Sequence, residues 1–230
     1  MKLITPFDFL EMLPMGRSLA VVGNAPSIQH PKLGQWIDSH DIVVRFNECA
    51  LREFAPDIGM KTDIFVTNPF VETRTRPMLD GGNCRVVVVI FPQNRHYDRK
   101  AVETYIGPHS VLFTFAPDIR MGHVGPLTTG AYALGLLPRL LRPSQLSVTG
   151  FTCFFDDSAH HYWEKKAPPG VEKHDHLADA RAILSVIPRR WSEAVTVTSE
   201  LAWLARRVGI SLDKRVAVKN LPDAKWLESV

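Results

Sequence analysis

Short apolar runs of strand length recur along the chain and limit its possible folds more than any other feature. They cover residues 19–23, 41–47, 63–67, 85–91, 111–115, 145–150 and 194–198. Apolar residues at helical spacing lie between several of them, at 32–39, 129–141, 177–188 and 200–208. Such alternation is typical of parallel strands buried between helices. The sequence therefore predicts an α/β fold: a single-domain Rossmann-like, mainly parallel sheet flanked by helices over residues 1–230.

The net charge of the chain is +3, from 27 basic residues interleaved with 24 acidic ones. This balance suits an anionic substrate, and it forms no basic stripe of the kind that binds nucleic acid. The longest apolar runs are too short to cross a bilayer, and residues 1–13 carry acidic side chains where a secretory leader would be apolar.

The cysteines indicate a compartment. Cys49, Cys84 and Cys153 are widely spaced and lie in or beside apolar runs, as buried thiols do. A reducing environment fits this pattern, so we expect a cytoplasmic protein. Residues 4–15 pack as an amphipathic terminus or lie on the inner face of a membrane.

Glycine and asparagine follow the first apolar run, at Gly23 and Asn24. At the carboxyl end of a leading parallel strand, glycine lets a ligand approach the backbone, and an asparagine amide can donate and accept hydrogen bonds. The same pair also suits a turn in which Asn24 caps the next helix. The sequence has neither G-x-G-x-x-G nor G-x-x-x-x-G-K-[ST], so dinucleotide and P-loop sites have little support.

The second apolar run ends in Arg45, Phe46 and Asn47. Alternation along a strand places Arg45 and Asn47 on one face, where two polar side chains can contact a ligand. In the alternative interpretation, Arg45 pairs with Asp41 or Asp57 and Asn47 begins a turn.

A threonine pair, Thr128 and Thr129, lies between Gly125 and Gly130 directly before a predicted helix. Backbone N–H groups, two hydroxyls and the positive end of a helix dipole favour a phosphate there. The simpler alternative is a threonine that only caps the helix.

Four of the nine histidines lie within residues 160–176. They are His160, His161, His174 and His176, with Tyr162, Trp163, Asp156 and Asp157 in the same irregular segment. They can form a metal cluster, a general acid–base set or a solvated loop. Their concentration among aromatic and acidic residues favours a functional site.

These pieces occur in the order of the four motifs of the sialyltransferases, glycosyltransferase family 29. Residues 20–24, 37–47 and 57–62 resemble the large motif, and residues 126–130 with 150–151 resemble the small one. Residues 161–164 resemble the third motif, and His174-Asp175 with Asp179 resembles the last. The similarity spans about residues 19–184, and chance agreement of four ordered motifs is remote.

The resemblance implies an inverting glycosyltransferase of variant GT-A-like fold that needs no metal or other cofactor. Its donor-binding motifs would span 19–62 and 125–151, and its catalytic histidine segment 152–184. The implied donor is a CMP-activated acidic 2-keto sugar, sialic acid or Kdo. We expect the acceptor to be a glycan or glycolipid of polysaccharide biosynthesis. The implied nucleotide-binding residues are Gly23, Asn24, Arg45, Asn47, Thr128, Thr129, Gly130, Gly150, Phe151 and Tyr162.

The same resemblance implies that His161 binds the donor phosphate and that His174 removes the proton of the acceptor hydroxyl. Asp179 would orient His174. An imidazole, with an unperturbed pKa of about 6.5, can accept that proton as attack proceeds. A departing monophosphate can be stabilised by hydrogen bonds and one imidazolium, and the sequence has no Asp-x-Asp for a divalent ion. His176 is the rival base.

Two features depart from the family pattern. Leu19 and approximately Arg142 occupy the places of two cysteines that form a disulfide in secretory members, a bond that a reducing cytoplasm would not preserve. Asp179 stands where the last motif usually has a glutamate, which is one methylene longer.

Two other functions stay open. A metal-dependent phosphohydrolase would use His160, His161, His174, His176 and Asp156 or Asp157 as ligands. A non-catalytic protein would bind CMP without transferring a sugar.

Overall fold

The computed structural model describes residues 1–29, 32–72, 79, 83–91, 97–115, 127–155, 161–164, 174–187 and 194–221. The strands are β1 (Lys2–Leu3), β2 (Leu19–Val22), β3 (Ile42–Phe46), β4 (Ile64–Thr67), β5 (Val86–Phe91), β6 (Ser110–Phe115), β7 (Gln145–Thr149), β8 (Ala194–Thr198) and β9 (Val216–Lys219). The helices are α1 (Pro6–Met12), α2 (Gly34–Asp38), α3 (Leu51–Ile58), α4 (Arg99–Ile106), α5 (Thr129–Leu141), α6 (His176–Val186) and α7 (Ser199–Arg207). Of these helices, none has both the length and the hydropathy to cross a membrane.

The strands form one sheet in the order β1-β6-β5-β4-β3-β2-β7-β8-β9. Every neighbouring pair is parallel, so the predicted parallel α/β sheet is confirmed. From β2, the chain first builds outward through β3 and later returns to add β7 on the other side. Open α/β sheets bind ligands at the carboxyl ends of the strands at such a reversal.

Helices cover both faces of the sheet. Helices α1, α5, α6 and α7 pack on one face, and α2, α3 and α4 pack on the other. Successive strand residues supply the two cores in turn: Val21 and Val44 belong to the first core, and Ala20 and Val43 to the second. Burial on both faces explains why the strands read as continuous apolar runs.

Most predicted elements are present within a few residues of their expected bounds, but four were not predicted individually: β1, β9, α3 and α4. Helix α3 contains Pro56 and ends at Gly59, where φ is 72°. Both residues normally interrupt a helix, so they obscured its pattern. Helix α4 is a short surface helix that begins at its capping residue, Asp98.

Two acidic residues, Asp38 in the large motif and Asp63 directly after it, stabilise the sheet through hydrogen bonds to backbone amides. Both carboxylate oxygens of Asp38 accept backbone amides, from Met60 at 2.9 Å and from Lys61 at 3.0 Å. Asp63 accepts the amide of Val43 at 2.9 Å. The loop before β4 is therefore fixed to α2 and β3 by side chains that the motif supplies.

His40 of the same motif ties α2 to β7. Its buried ring places Nε2 2.8 Å from Ser147 Oγ and Nδ1 2.9 Å from the carbonyl oxygen of Trp36. Burial lowers the pKa of His40, which favours the neutral ring. Since a carbonyl only accepts, Nδ1 carries the hydrogen and Nε2 accepts from the Ser147 hydroxyl.

Replacement of Ser147 by Ala should lower the free energy of unfolding by about 1–3 kcal/mol, because the buried Nε2 of His40 loses its donor. Urea denaturation at neutral pH measures this change. Ser211→Ala, at an exposed serine, is the matched control and should stay within about 0.5 kcal/mol of the wild type. Equal effects of the two substitutions would show that the His40 contact contributes nothing.

Candidate functional site

The loops after β2, β3, β4 and β7 meet at the carboxyl edge of the sheet. They begin with Gly23, Asn47, Asn68 and Gly150, in that order of strands. Three of these residues were predicted as site residues, and Asn68 was not. Its position directly after a parallel strand was the one signal that could have identified it.

Gly23 and Gly150 touch where β2 and β7 end. A methyl group added to Gly23 would lie 2.1 Å from the Gly150 carbonyl oxygen, and one added to Gly150 would lie 2.6 Å from that of Gly23. Gly150 also has a φ of 77°, in the left-handed region that favours glycine. The amides of Gly23 and Ala25 donate to the carbonyls of Thr149 and Gly150 at 2.8 and 3.0 Å. The two loops therefore leave the sheet in contact and without side chains at that point.

Asn24, in the first part of the large motif, contacts the end of β3 and the third motif. Its side-chain amide donates to the carbonyls of Phe46 at 3.1 Å and Glu48 at 3.4 Å, the two neighbours of Asn47. Its own carbonyl accepts the amide of Tyr162 at 3.0 Å. Three segments that are distant in sequence therefore meet around this residue.

Asn47 ends β3 with a left-handed backbone, at a φ of 55°. Asparagine tolerates this conformation better than most residues that have a side chain. The Asn47 amide donates to Val66 at 2.8 Å, and its carbonyl accepts the hydroxyl of Tyr105 at 2.9 Å. Strand β4 and helix α4 thus fix the backbone of Asn47, whose side chain is half-buried.

The predicted threonine turn begins α5. Thr128 is the N-cap, and its hydroxyl accepts the amide of Ala131 at 3.4 Å, so the capping role is confirmed. The hydroxyl of Thr129 accepts from the Asn68 side chain at 3.4 Å. The positive end of the α5 dipole therefore lies beside the loops after β4 and β7.

Phe151 fills the space between these segments. Its ring packs so closely on Gly130 that an added methyl group there would lie 2.7 Å from the ring. The ring also meets Phe46 edge to face, with centroids 5.9 Å apart. The Gly150–Phe151 turn thus links the end of β3 to the start of α5.

Asp179 joins the small motif to the last motif. The carboxylate is fully buried, and its Oδ1 accepts the amide of Thr128 at 2.7 Å and the Thr128 hydroxyl at 3.1 Å. Its Oδ2 has no hydrogen-bond partner among the described residues. Burial raises the pKa of Asp179 to about 6, against the opposing effects of the Thr128 amide and of the nearby His174. Asp179 therefore anchors the α5 N-terminus, a role beyond the orientation of His174 that was predicted.

The two candidate bases lie together at the start of α6. His174 precedes Asp175, the N-cap of α6, which accepts the amide of Ala178 at 2.9 Å. His176 packs against Phe154 with ring centroids 5.4 Å apart. Burial, and then the neighbouring His174, lowers the pKa of His176. His174 lies close enough to His176 and Asp179 to influence the pKa of each.

His161 is held by its own motif. Its Nδ1 lies 2.8 Å from the Glu164 carboxylate, and its ring stacks on Trp163 with centroids 4.7 Å apart. A carboxylate acceptor fixes the hydrogen on Nδ1. Because the next residue donates its amide to Asn24, the oriented imidazole lies one residue from the cluster around Asn24.

The structure corrects the prediction that Arg45 contacts the nucleotide. Arg45 is only 2% exposed, and its guanidinium donates to the carbonyls of Ile58 at 2.7 Å and Lys61 at 3.0 Å. Its nearest ion pair is with Asp38 at 3.9 Å, rather than with either acid considered from the sequence. Arg45 is thus a core residue that holds the end of α3 and the loop before β4.

The predicted nucleotide contact of the Tyr162 side chain is corrected as well. Its ring is 2% exposed and packs edge to face on Phe54, and its hydroxyl donates to Ala50 at 3.2 Å. The backbone amide of Tyr162 contributes to the cluster at Asn24.

The metal alternative rests largely on positions outside the described residues. Those positions are Asp156, Asp157 and His160, and Gly125 of the predicted phosphate turn is among the others left out. Within the described part of the chain, no three His, Cys, Asp or Glu side chains are grouped as metal ligands. The three cysteines all lie in that part and form no disulfide.

Replacement of Asp179 by Asn should change how stability depends on pH. The folded-state pKa of about 6 exceeds the ordinary value of 3.8, so the folded wild type binds this proton more tightly than the unfolded chain does. Wild-type stability therefore falls as pH rises through this window, by about 2–3 kcal/mol from this group. Urea denaturation between pH 4 and 7 should show the Asn variant gaining that amount relative to the wild type. Parallel pH profiles would contradict the raised pKa of the buried Asp179 carboxyl.

A family model for glycosyltransferase family 29 (sialyltransferase) matches residues 15–98, which hold β2 to β5 with Asn24, Asn47 and Asn68. Human beta-galactoside alpha-2,6-sialyltransferase 2 is 32% identical over 115 residues, 49% of this chain and 22% of the relative. CMP-N-acetylneuraminate-beta-galactosamide-alpha-2,3-sialyltransferase 1 from Gallus gallus is 26% identical over 186 residues, 71% of this chain and 52% of the relative. This chain thus spans only part of either relative.

Among solved structures, a mammalian sialyltransferase in complex with Gal-beta-1-3GalNAc-ortho-nitrophenol is 18% identical, with a TM-score of 0.49 over 82% of this chain and 76% of that one. The sequence matches confirm the resemblance drawn from the motifs: residues 15–98 match the model of glycosyltransferase family 29, the sialyltransferases, and the similar relatives carry sialyltransferase names.

Proposed function

We propose that this chain transfers sialic acid from a CMP-activated donor to a glycan hydroxyl, with inversion at the anomeric carbon and without a metal ion. The observation that carries the proposal is the linkage of all four motifs at one edge of the sheet. Asn24 contacts the end of β3 and the third motif, and Asp179 ties the last motif to Thr128. The family match and the curated relatives support the same chemistry.

In this proposal, CMP lies at the carboxyl edge between β2 and β7. Asn24 and Asn47 contact its ribose and phosphate. The N–H groups of Asn24 donate to Phe46 and Glu48, so its Oδ1 accepts from a ribose hydroxyl, and the Asn47 amide can both donate and accept. The Thr128–Gly130 turn contributes the Thr129 hydroxyl and the positive end of α5, which favour the nucleotide's phosphate, while the Thr128 hydroxyl holds the turn through Asp179 and Ala131. Gly23 and Gly150 let the two loops pack backbone against backbone, which brings the segments of Asn24 and Phe151 together at this edge.

His174 acts as the general base. The acceptor oxygen attacks the anomeric carbon from the side opposite CMP, and its new bond forms as the bond to the phosphate oxygen breaks. The hydroxyl proton passes to the His174 imidazole, a side chain that can accept a proton as attack proceeds. Asp179 is ionised above pH about 6 and stabilises the resulting imidazolium through its charge.

The bonding electron pair leaves with CMP. His161, oriented by Glu164 and Trp163, acts as an imidazolium, with Nδ1–H on Glu164 and Nε2–H donating to the departing phosphate. A nucleoside monophosphate develops less charge than a diphosphate, so charge-assisted hydrogen bonds suffice in place of a divalent cation.

Donor, acceptor and location belong to the same proposal. Kdo is the alternative donor sugar, because it too carries a carboxylate beside its anomeric carbon and is activated by CMP. The acceptor is a glycan or glycolipid precursor in polysaccharide biosynthesis. Unbridged cysteines support a cytoplasmic location. Leu3, Phe7 and Met15, which are 58%, 70% and 55% exposed, support contact with the inner face of a membrane.

Replacement of His174 by Ala should lower kcat for sugar transfer by about 10²- to 10⁴-fold and leave CMP affinity nearly unchanged, because the base acts on the acceptor. Transfer from CMP-sialic acid to a galactoside is followed by release of CMP, and CMP binding by calorimetry. His109→Ala is the matched control, since His109 precedes β6 at the opposite edge of the sheet.

The rivals predict different results. Loss of transfer in His176→Ala but not in His174→Ala would reassign the base. Activity that disappears with a chelator and returns with zinc or manganese would favour the phosphohydrolase. CMP binding without transfer from either CMP-sialic acid or CMP-Kdo would favour a non-catalytic CMP-binding protein.

A further inference from the structure

Glu200 is a buried acid in the first turn of α7, outside the segment that resembles the four motifs. Glu200 is 0% exposed, as is Thr198, two residues before it. Burying a carboxylate is costly unless it is hydrogen-bonded, and burial raises the pKa of Glu200. A purely apolar side chain would pack at this position at lower cost.

The contacts of Glu200 point toward the end of β7. Its Oε1 accepts the backbone amide of Gly150 at 2.7 Å and lies 3.3 Å from the Thr149 hydroxyl. The hydroxyl of Thr198 donates to the same oxygen and lies 2.9 Å from that of Thr149. The Oε2 atom of Glu200 has no hydrogen-bond partner among the described residues. Among these contacts, the amide of Gly150 is the backbone group outside α7 that the carboxylate holds.

Gly150 contacts both loops at the carboxyl edge where the proposed CMP site lies. Its backbone is left-handed, its carbonyl accepts the amide of Ala25, and it touches Gly23 directly. The next residue, Phe151, packs on Gly130 at the start of α5. A shift of the Gly150 amide would therefore displace both the loop that carries Asn24 and the ring that supports Gly130.

We propose that Glu200 is a positioning residue for the nucleotide: by fixing the Gly150 amide, it holds the loops after β2 and β7 in the arrangement that binds CMP. This inference rests on the proposed function. Glu200 lies under the turn and contacts the donor only through it.

The test compares Glu200→Met, which keeps the volume and removes the acceptor, with Glu200→Gln, which keeps an acceptor oxygen. Calorimetry of the full chain should give CMP dissociation constants at least about tenfold higher for the Met variant. The Gln variant should stay within about threefold of the wild type. Ser147→Ala is the matched control. It removes a buried hydrogen bond from β7, the strand that ends just before Gly150, and the CMP affinity of this variant should be unchanged. Each variant is measured at a temperature at which circular dichroism shows it folded.

Amide hydrogen exchange keeps the test decisive if the Met variant does not fold. In the wild type and in Glu200→Gln, the Gly150 amide should be protected, and CMP should slow its exchange further. An unprotected Gly150 amide would overturn the inference, as would a folded Met variant that binds CMP like the wild type or a Gln variant as impaired as Met. Equal loss in Ser147→Ala would also overturn it. Wild-type protein that fails to bind CMP would instead overturn the proposed function.

Discussion

Gly23 and Gly150 pack backbone against backbone where β2 and β7 leave the sheet, and neither can carry a side chain there without displacing the other. The β2–β7 ladder is therefore extended by one step beyond the strands, through the amides of Gly23 and Ala25. The loops that diverge from this contact carry Asn24 on one side and Phe151 on the other. Polar groups and a helix terminus converge at this edge because the backbone occupies so little room where the strand order reverses.

The polar residues of the large motif divide into two groups with different work. One group stabilises the sheet by hydrogen-bonding backbone groups and one buried serine. It consists of Asp38, His40 and Arg45, together with Asp63 directly after the motif. Asn24 also binds backbone, but it does so at the strand ends, where its contacts bring segments of separate motifs together. A motif of this kind preserves a scaffold as much as a binding surface, and residue type alone does not separate the two.

Much of the fold could be predicted, because parallel strands buried on both faces leave continuous apolar runs in the sequence. The site could be predicted only in part. Alternation gave the face of Arg45 but not whether that face is core or cleft, and it is core. Asn68 is a single polar residue after a strand, with no spacing signal of its own. Helical spacing over residues 200–208 predicts a helix but no contact for Glu200, because an acid in a first helical turn is usually solvated. The packing of α7 against the end of β7 reveals its contact with Gly150.

The central claim is that the carboxyl edge between β2 and β7 binds a cytidine monophosphate. Backbone amide NMR of the full chain, titrated with CMP and then with UDP in the absence of added metal, tests it directly. CMP should perturb the amides around Asn24, Asn47, Gly130 and Phe151 in a saturable way and at lower concentration than UDP does. Saturable shifts elsewhere with these four segments unchanged, or tighter binding of UDP at the same edge, would contradict the account.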